Sequence, residues 1–239
     1  MVGRFYVIAL TVVLLASTSL HAQKAPVLFA ARELGLHDTI PNNADFDRPF
    51  EVPLPARVSD VNGKRMVQLT NCRDYLSMRN QIVGSDTDSN YRVLRFQTVS
   101  CEALALLKSA TIAVHTMLPA DFQQLTATHC YPASLWPAVS DDERRKLARK
   151  GATLRTASGK SALRIVEGGV LELESSSIGM HLTLLARGDF NHDGWEDAAF
   201  RWEAYALKGS YTNARLVVLT RKGNERDLHE LALNKLLFD

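Results

Sequence analysis

Asp189-Phe190-Asn191-His192-Asp193-Gly194-Trp195-Glu196-Asp197 is the stretch on which the reading of this 239-residue chain turns. Asp189, Asn191 and Asp193 alternate, so a tight turn points all three side chains to its inside, and Gly194 supplies a bend that a Cβ would obstruct. Asp197 then returns to close the shell, and Trp195 contributes its backbone carbonyl. Three carboxylates and one amide make the hard, negatively charged oxygen cage that Ca²⁺ prefers over softer metals. The expected metal site is therefore Asp189, Asn191, Asp193, Trp195 and Asp197, with Ca²⁺ as the cofactor. The alternative is an Asp/Asn/Gly-rich hairpin turn that holds no metal.

Gly188-Asp189-Phe190-Asn191, followed by Asp193-Gly194 and Asp197 and framed by apolar runs, resembles the calcium loop of the FG-GAP and VCBS repeats of integrin α-subunits and many exported bacterial proteins. The resemblance covers residues 182–220 and one copy of the motif, where those families carry several around a propeller. It implies a calcium-bearing β-hairpin rather than an activity. An EF-hand would share the early loop positions but needs a bidentate Glu at the twelfth, which here is Phe200. An EF-hand also needs an entering helix, yet Leu182-Thr183-Leu184 alternates as a strand does. On the exit side, Phe200, Trp202 and Ala204 share one strand face, while Ala198, Trp202, Tyr205 and Ala206 would share a helical one. The strand is the preferred reading.

Outward from the loop, short β-like runs recur at 163–167, 170–174, 181–186, 198–207 and 216–220, with Gly168-Gly169 as a hairpin signal. Ahead of them, Ser140-Asp141-Asp142-Glu143 is a capping box opening a surface helix that Gly151 stops. Further back, Asn71 is placed to cap a helix over 72–80 and Ser100 another over 101–110. Residues 91–96 read as a strand between them, and Pro119 opens a third short helix through 125. The fold class expected is α+β: a helix-rich, disulfide-stapled N-terminal half and an antiparallel β C-terminal half carrying the calcium-binding hairpin loop. The divisions are a signal peptide over 1–22, an extended Pro-rich arm over 23–58, a helix-rich domain over 59–150 and the β domain over 151–239.

Arg4, an apolar run over 5–16 and small residues ending at Ala22 read as a cleaved secretory signal. The run is too short to span a bilayer, and no Cys near the cleavage point marks a lipobox, so the product is expected in the periplasm or secreted. In an oxidising compartment Cys72, Cys101 and Cys130 make one bridge and one free thiol. Cys72 to Cys101 is favoured, with Cys101 to Cys130 as its competitor; closing a loop of about thirty residues stabilises by roughly 3–4 kcal/mol. A formal net charge of +2 provides no basic field for nucleic acid or anionic membrane.

Neither Gly-x-Ser-x-Gly nor His-Glu-x-x-His occurs. Ser158-Gly159-Lys160-Ser161 lacks the leading glycine of a phosphate loop, Leu154 standing in its place. Arg187-Gly188-Asp189 commits its Asp to the metal. His115 and His129 with Cys130 are better read as structural residues than as a thiol–imidazole pair. Glu196 and Glu203 are the candidate carboxylate pair for hydrolysis. Trp136, Trp195, Trp202, Tyr205 and Tyr211 form either core or an aromatic platform for sugar or peptide. These features lead to an exported, calcium-binding, non-enzymatic module of the bacterial envelope, of binding or inhibitor/immunity type, taking a protein partner or cell-wall component. The alternative is a hydrolase of envelope polysaccharide or peptide with a structural calcium.

Overall fold

The computed structural model describes residues 28–29, 41–119, 128–138, 140–147, 152–159, 163–166, 170–223 and 225–238. The expected signal peptide, most of the arm before residue 41, the body of the helix after Pro119 and the Gly168-Gly169 turn lie outside them.

After β1 (Leu28–Phe29), which joins the larger sheet, α1 (Asn43–Asp47) is closed by a capping box between Asn42 and Asp45. β2 (Leu54–Asp60) and β3 (Gly63–Leu69) then form a hairpin, and β4 (Ile82–Gly84) pairs with the other side of β2. This three-stranded sheet departs from the expected arm and helix-rich segment. Pro53 and Pro55 suggest an extended leader, yet Leu54, Ala56 and Val58 alternate into the interior. The β4 pairing begins only at Arg57, so Pro55, with no N–H, removes no ladder bond on that side.

α2 (Cys72–Met78) starts as expected, the Asn71 side chain accepting from Asp74 N at 2.9 Å. The strand expected over 91–96 and the helix start expected at Cys101 are both corrected. One helix, α3 (Asp88–Ser109), runs through both and is capped by Thr87, which accepts from Asn90 N at 3.1 Å. Helical geometry turns Leu94, Thr98 and Cys101 inward and leaves Tyr91, Val93 and Phe96 at the surface. The core contact outweighs the β propensity of Tyr, Val and Phe. Cys101 therefore sits mid-helix and is bridged to Cys72, as favoured; Cys130 is free and buried.

α4 (Asp141–Leu147) begins at its box, Glu143 N donating to Ser140 Oγ at 3.2 Å, and α5 (Leu154–Ser158) follows. Next come β5 (Arg164–Ile165), β6 (Leu171–Glu174), β7 (Ile178–Gly188), β8 (Asp197–Ala206), β9 (Thr212–Thr220) and β10 (His229–Glu230), before the closing helix α6 (Leu233–Phe238). β5 to β10 are neighbours in chain order, all antiparallel, and β1 pairs with β7 at Ala186 and Arg187. The exit from the loop is the preferred strand.

Each face of this sheet carries a core. On one, α3 with residues from α1, α2, β2 and β3 packs on Leu185, Ala199, Ala214, Leu216 and Val218. On the other, Leu118, Tyr131, Leu135, Trp136 and Leu154 pack on Met180, Leu182, Phe200, Trp202 and Val217. Both cores thus draw side chains from before and after residue 150. A register shift between Leu184 and Ala186 reverses the alternation of β7, so that Leu182 and Leu184 face one core while Ala186, at even spacing from them, joins Leu185 in the other. No helix among the described residues is long and apolar enough to cross a membrane.

Candidate metal centre

The loop joins β7 to β8 directly after the Gly188–Asp197 pair. Residues 111–116, which carried no assignment in the sequence, hold it from outside. Thr111 and Asp189 exchange backbone hydrogen bonds at 3.1 and 3.0 Å, Gly194 O accepts from Val114 N and His115 N at 2.9 Å each, and Glu196 N donates to His115 O at 2.8 Å. The start, bend and end of the loop are therefore fixed to a segment about eighty residues away in the chain. The run Ile112-Ala113-Val114 was the available signal for a strand-like partner, but nothing in it names the segment it pairs with.

Within the loop, the expected ligands turn inward by capping its backbone. Asp189 Oδ1 and Asn191 Oδ1 both accept from Asp193 N at 3.1 Å, and Asp189 Oδ2 accepts from Gly194 N at 2.8 Å. Asp193 Oδ1 accepts from Trp195 N at 2.9 Å, and Asn191 Nδ2 donates to Asp193 Oδ2 at 2.9 Å. Gly194 has φ +86°, as its place at the bend requires. His192 is exposed, with φ +59°.

Asp197 differs from the other three. It is fully buried, and its Oδ2 accepts from Phe190 N at 3.0 Å. Burial pushes its carboxyl up to about 7, and the charges of Asp193 and Asp189 push the same way, against the Phe190 N–H and the neighbouring Thr220 hydroxyl. That hydroxyl falls short of hydrogen-bond geometry: Thr220 Oγ1 and Asp197 Oδ1 are both buried without a hydrogen-bond partner among the described residues. A cation already stands at the loop, the Lys222 ammonium paired with Asp193 Oδ2.

These features fit a hard cation. An orphaned buried carboxylate oxygen and like-charged neighbours that raise its protonation are what an oxygen-seeking ion would relieve, whereas the ammonium held against the same cluster competes with it. Among the described residues no group of three or more His, Cys, Asp or Glu side chains converges as a ready metal cage, because Asp189 and Asp193 turn their oxygens to loop amides and to Lys222.

Arg187 and Glu196 form a two-point ion pair inside the protein, Nη2 to Oε2 at 2.6 Å and Nε to Oε1 at 3.1 Å. Thr116 Oγ1 also donates to Glu196, and Arg187 Nη1 donates to Pro119 O at 2.8 Å. Glu203 pairs with Arg201 at 2.5 Å on β8, seven residues and so roughly 20 Å along the chain from Glu196. The structure does not bring the expected carboxylate pair together. His115 lies against Trp195, ring centroids 4.9 Å apart, while Cys130 is buried in the second core. The aromatic residues also separate: Trp195 stays at the loop, Tyr205 crosses the opposite sheet face over Gly179, and only Trp136, Trp202 and Tyr211 line a common groove.

No protein-family model, curated protein or solved structure matches the chain.

Proposed function

We propose that this chain is an exported calcium-binding module of the bacterial envelope, of binding or inhibitor/immunity type, in which Ca²⁺ rigidifies the β7–β8 loop. The observation that supports this most is Asp197 Oδ1, a buried carboxylate oxygen with no hydrogen-bond partner among the described residues, beside Asp189 and Asp193. Asp189, Asn191, Asp193 and Asp197 would hold the ion with their side chains and Trp195 with its carbonyl. The ion would supply the positive charge that three close carboxylates need in order to ionise together. Because residues 111–116 are hydrogen-bonded to the loop, the same ion would firm the surface those residues present to a partner.

Melting the mature protein in 1 mM Ca²⁺ and in excess chelator tests the reading. For an extracellular-type site with a Kd near 0.1 mM, mass action stabilises by about 1.4 kcal/mol, or roughly 3–6 °C. The shift is expected to vanish in Asp193→Ala and Asp197→Asn. Equal melting temperatures in calcium and chelator would leave the loop as a turn only.

A further inference from the structure

A groove of about 370 Å³ opens between β8, β9 and the segment leading into α4, on the sheet face opposite α3. Trp136 and Trp202 form its floor, and Tyr211, Asn213 and Arg215 stand along its β9 side. Both indoles are fixed from behind, Trp136 Nε1 donating to Glu143 at 3.0 Å and Trp202 Nε1 to Leu135 O at 2.7 Å. Both rings are buried, 8% and 4% exposed, so the floor is fixed and shows the groove only a narrow strip of them.

The polar rim decides what such a floor would take. Among the described residues Arg215 is the one formal charge in the lining, and it is already engaged: Nη1 pairs with Glu230, Nη2 donates to Ser134 O at 2.9 Å, and the guanidinium lies 5.0 Å from the centroid of the Trp202 ring. An anionic ligand would find its counter-charge neutralised. The Asn213 amide and the Tyr211 hydroxyl have no hydrogen-bond partner among the described residues, and Tyr211 is 45% exposed. A wholly apolar ligand would bury that amide unpaired, which costs binding free energy. A neutral polyol with one face of C–H bonds meets both demands, since its carbons rest on aromatic surface while its hydroxyls donate to and accept from amide and phenol. The volume lies within the range of small-ligand sites and suits a single sugar unit.

We propose that this groove binds one residue of a neutral glycan. Tyr211 and Asn213 make the specifying contacts, and the exposed ring of Tyr211, with the strip of Trp136 and Trp202 beneath it, supplies the aromatic surface. The site shares no residue with the β7–β8 loop, so it stands or falls independently of calcium.

The test is titration of the intact mature protein with cellotriose, maltotriose and the trimer of N-acetylglucosamine, each to 10 mM, followed by tryptophan fluorescence and calorimetry. A saturable response to at least one of them is expected, weakened at least fivefold in Asn213→Ala and in Tyr211→Ala. Tyr211→Phe, which keeps the ring, should lose less. The two rim positions start an edge region of β9, and circular dichroism of each variant separates lost binding from lost folding. No response to any of the three glycans overturns the proposal. So does a response that folded Asn213→Ala and Tyr211→Ala leave unchanged.

Discussion

Lys222, two residues beyond β9, holds its ammonium against Asp193 Oδ2, so the loop read as a cation site is partly neutralised by the protein's own cation. The side chain is 44% exposed and free to swing away. If Ca²⁺ enters the loop it must displace this ammonium or tolerate it at about 5 Å, which in water-like dielectric costs about 1–2 kcal/mol. Lys222→Met is therefore expected to tighten calcium binding by roughly five- to thirtyfold, read by calorimetric titration. An unchanged affinity would mean that Lys222 does not compete for the site.

The Arg187–Glu196 pair ties the end of β7 to the residue before β8 and, through Thr116 and Pro119, to the segment that clamps the loop. Glu196→Ala leaves a buried guanidinium without its carboxylate and is expected to destabilise by about 3–5 kcal/mol. Glu196→Gln, which keeps hydrogen-bonding oxygen and nitrogen, should cost less. Urea denaturation of both variants in chelator isolates this effect from metal binding, and a loss below 1 kcal/mol in Glu196→Ala would contradict it.

Gly179 leaves room for the ring of Tyr205 to cross its strand neighbour; a Cβ there would come within 2.4 Å of the ring. Tyr205 Oη meets Glu172, Glu174 and His181 at 3.1 to 3.2 Å. Gly179→Ala must push the ring aside and break this group, for an expected loss of about 1–3 kcal/mol. A denaturation midpoint equal to wild type would show that the ring moves without cost.

Glu172 in the same group makes stability depend on pH. Burial works against its ionisation, but hydrogen bonds from His181, Arg164 and Tyr205 outweigh burial and hold the carboxyl below the usual glutamate value. A depressed folded-state pKa stabilises above the unfolded value, near 4.3, and that stability is lost as pH falls through the folded value. Acid titration of the urea midpoint should therefore fall less steeply below about pH 4 in Glu172→Gln than in wild type. Identical slopes would remove Glu172 from the acid response.

The helix starts at Asn71 and Ser140 were legible because capping is local: a side-chain oxygen satisfies an amide two or three residues on. The β7–β8 hairpin was legible from alternation and from the turn chemistry of Asp189 to Gly194. The β2–β3–β4 sheet was not, because two prolines dominate its local signal while its pairing depends on residues 82–84. Residues 91–96 misled for the related reason that strand propensity is intrinsic to Tyr, Val and Phe, whereas the helix is set by what Leu94 and Val99 pack against.

By itself, the sequence determined an antiparallel sheet around a loop of inward-turning Asp and Asn side chains, and one bridge among three cysteines with Cys72 to Cys101 favoured, since these follow from spacing along one stretch of chain and from the few cysteines present. Only the tertiary structure decided that Asp197 is buried with an unpaired oxygen, that Glu196 is committed to Arg187, that Lys222 reaches Asp193, and that Trp136 and Trp202 share a groove without Trp195. Burial and charge pairing join residues distant in the chain, and the pattern around either partner does not encode which distant group will meet it.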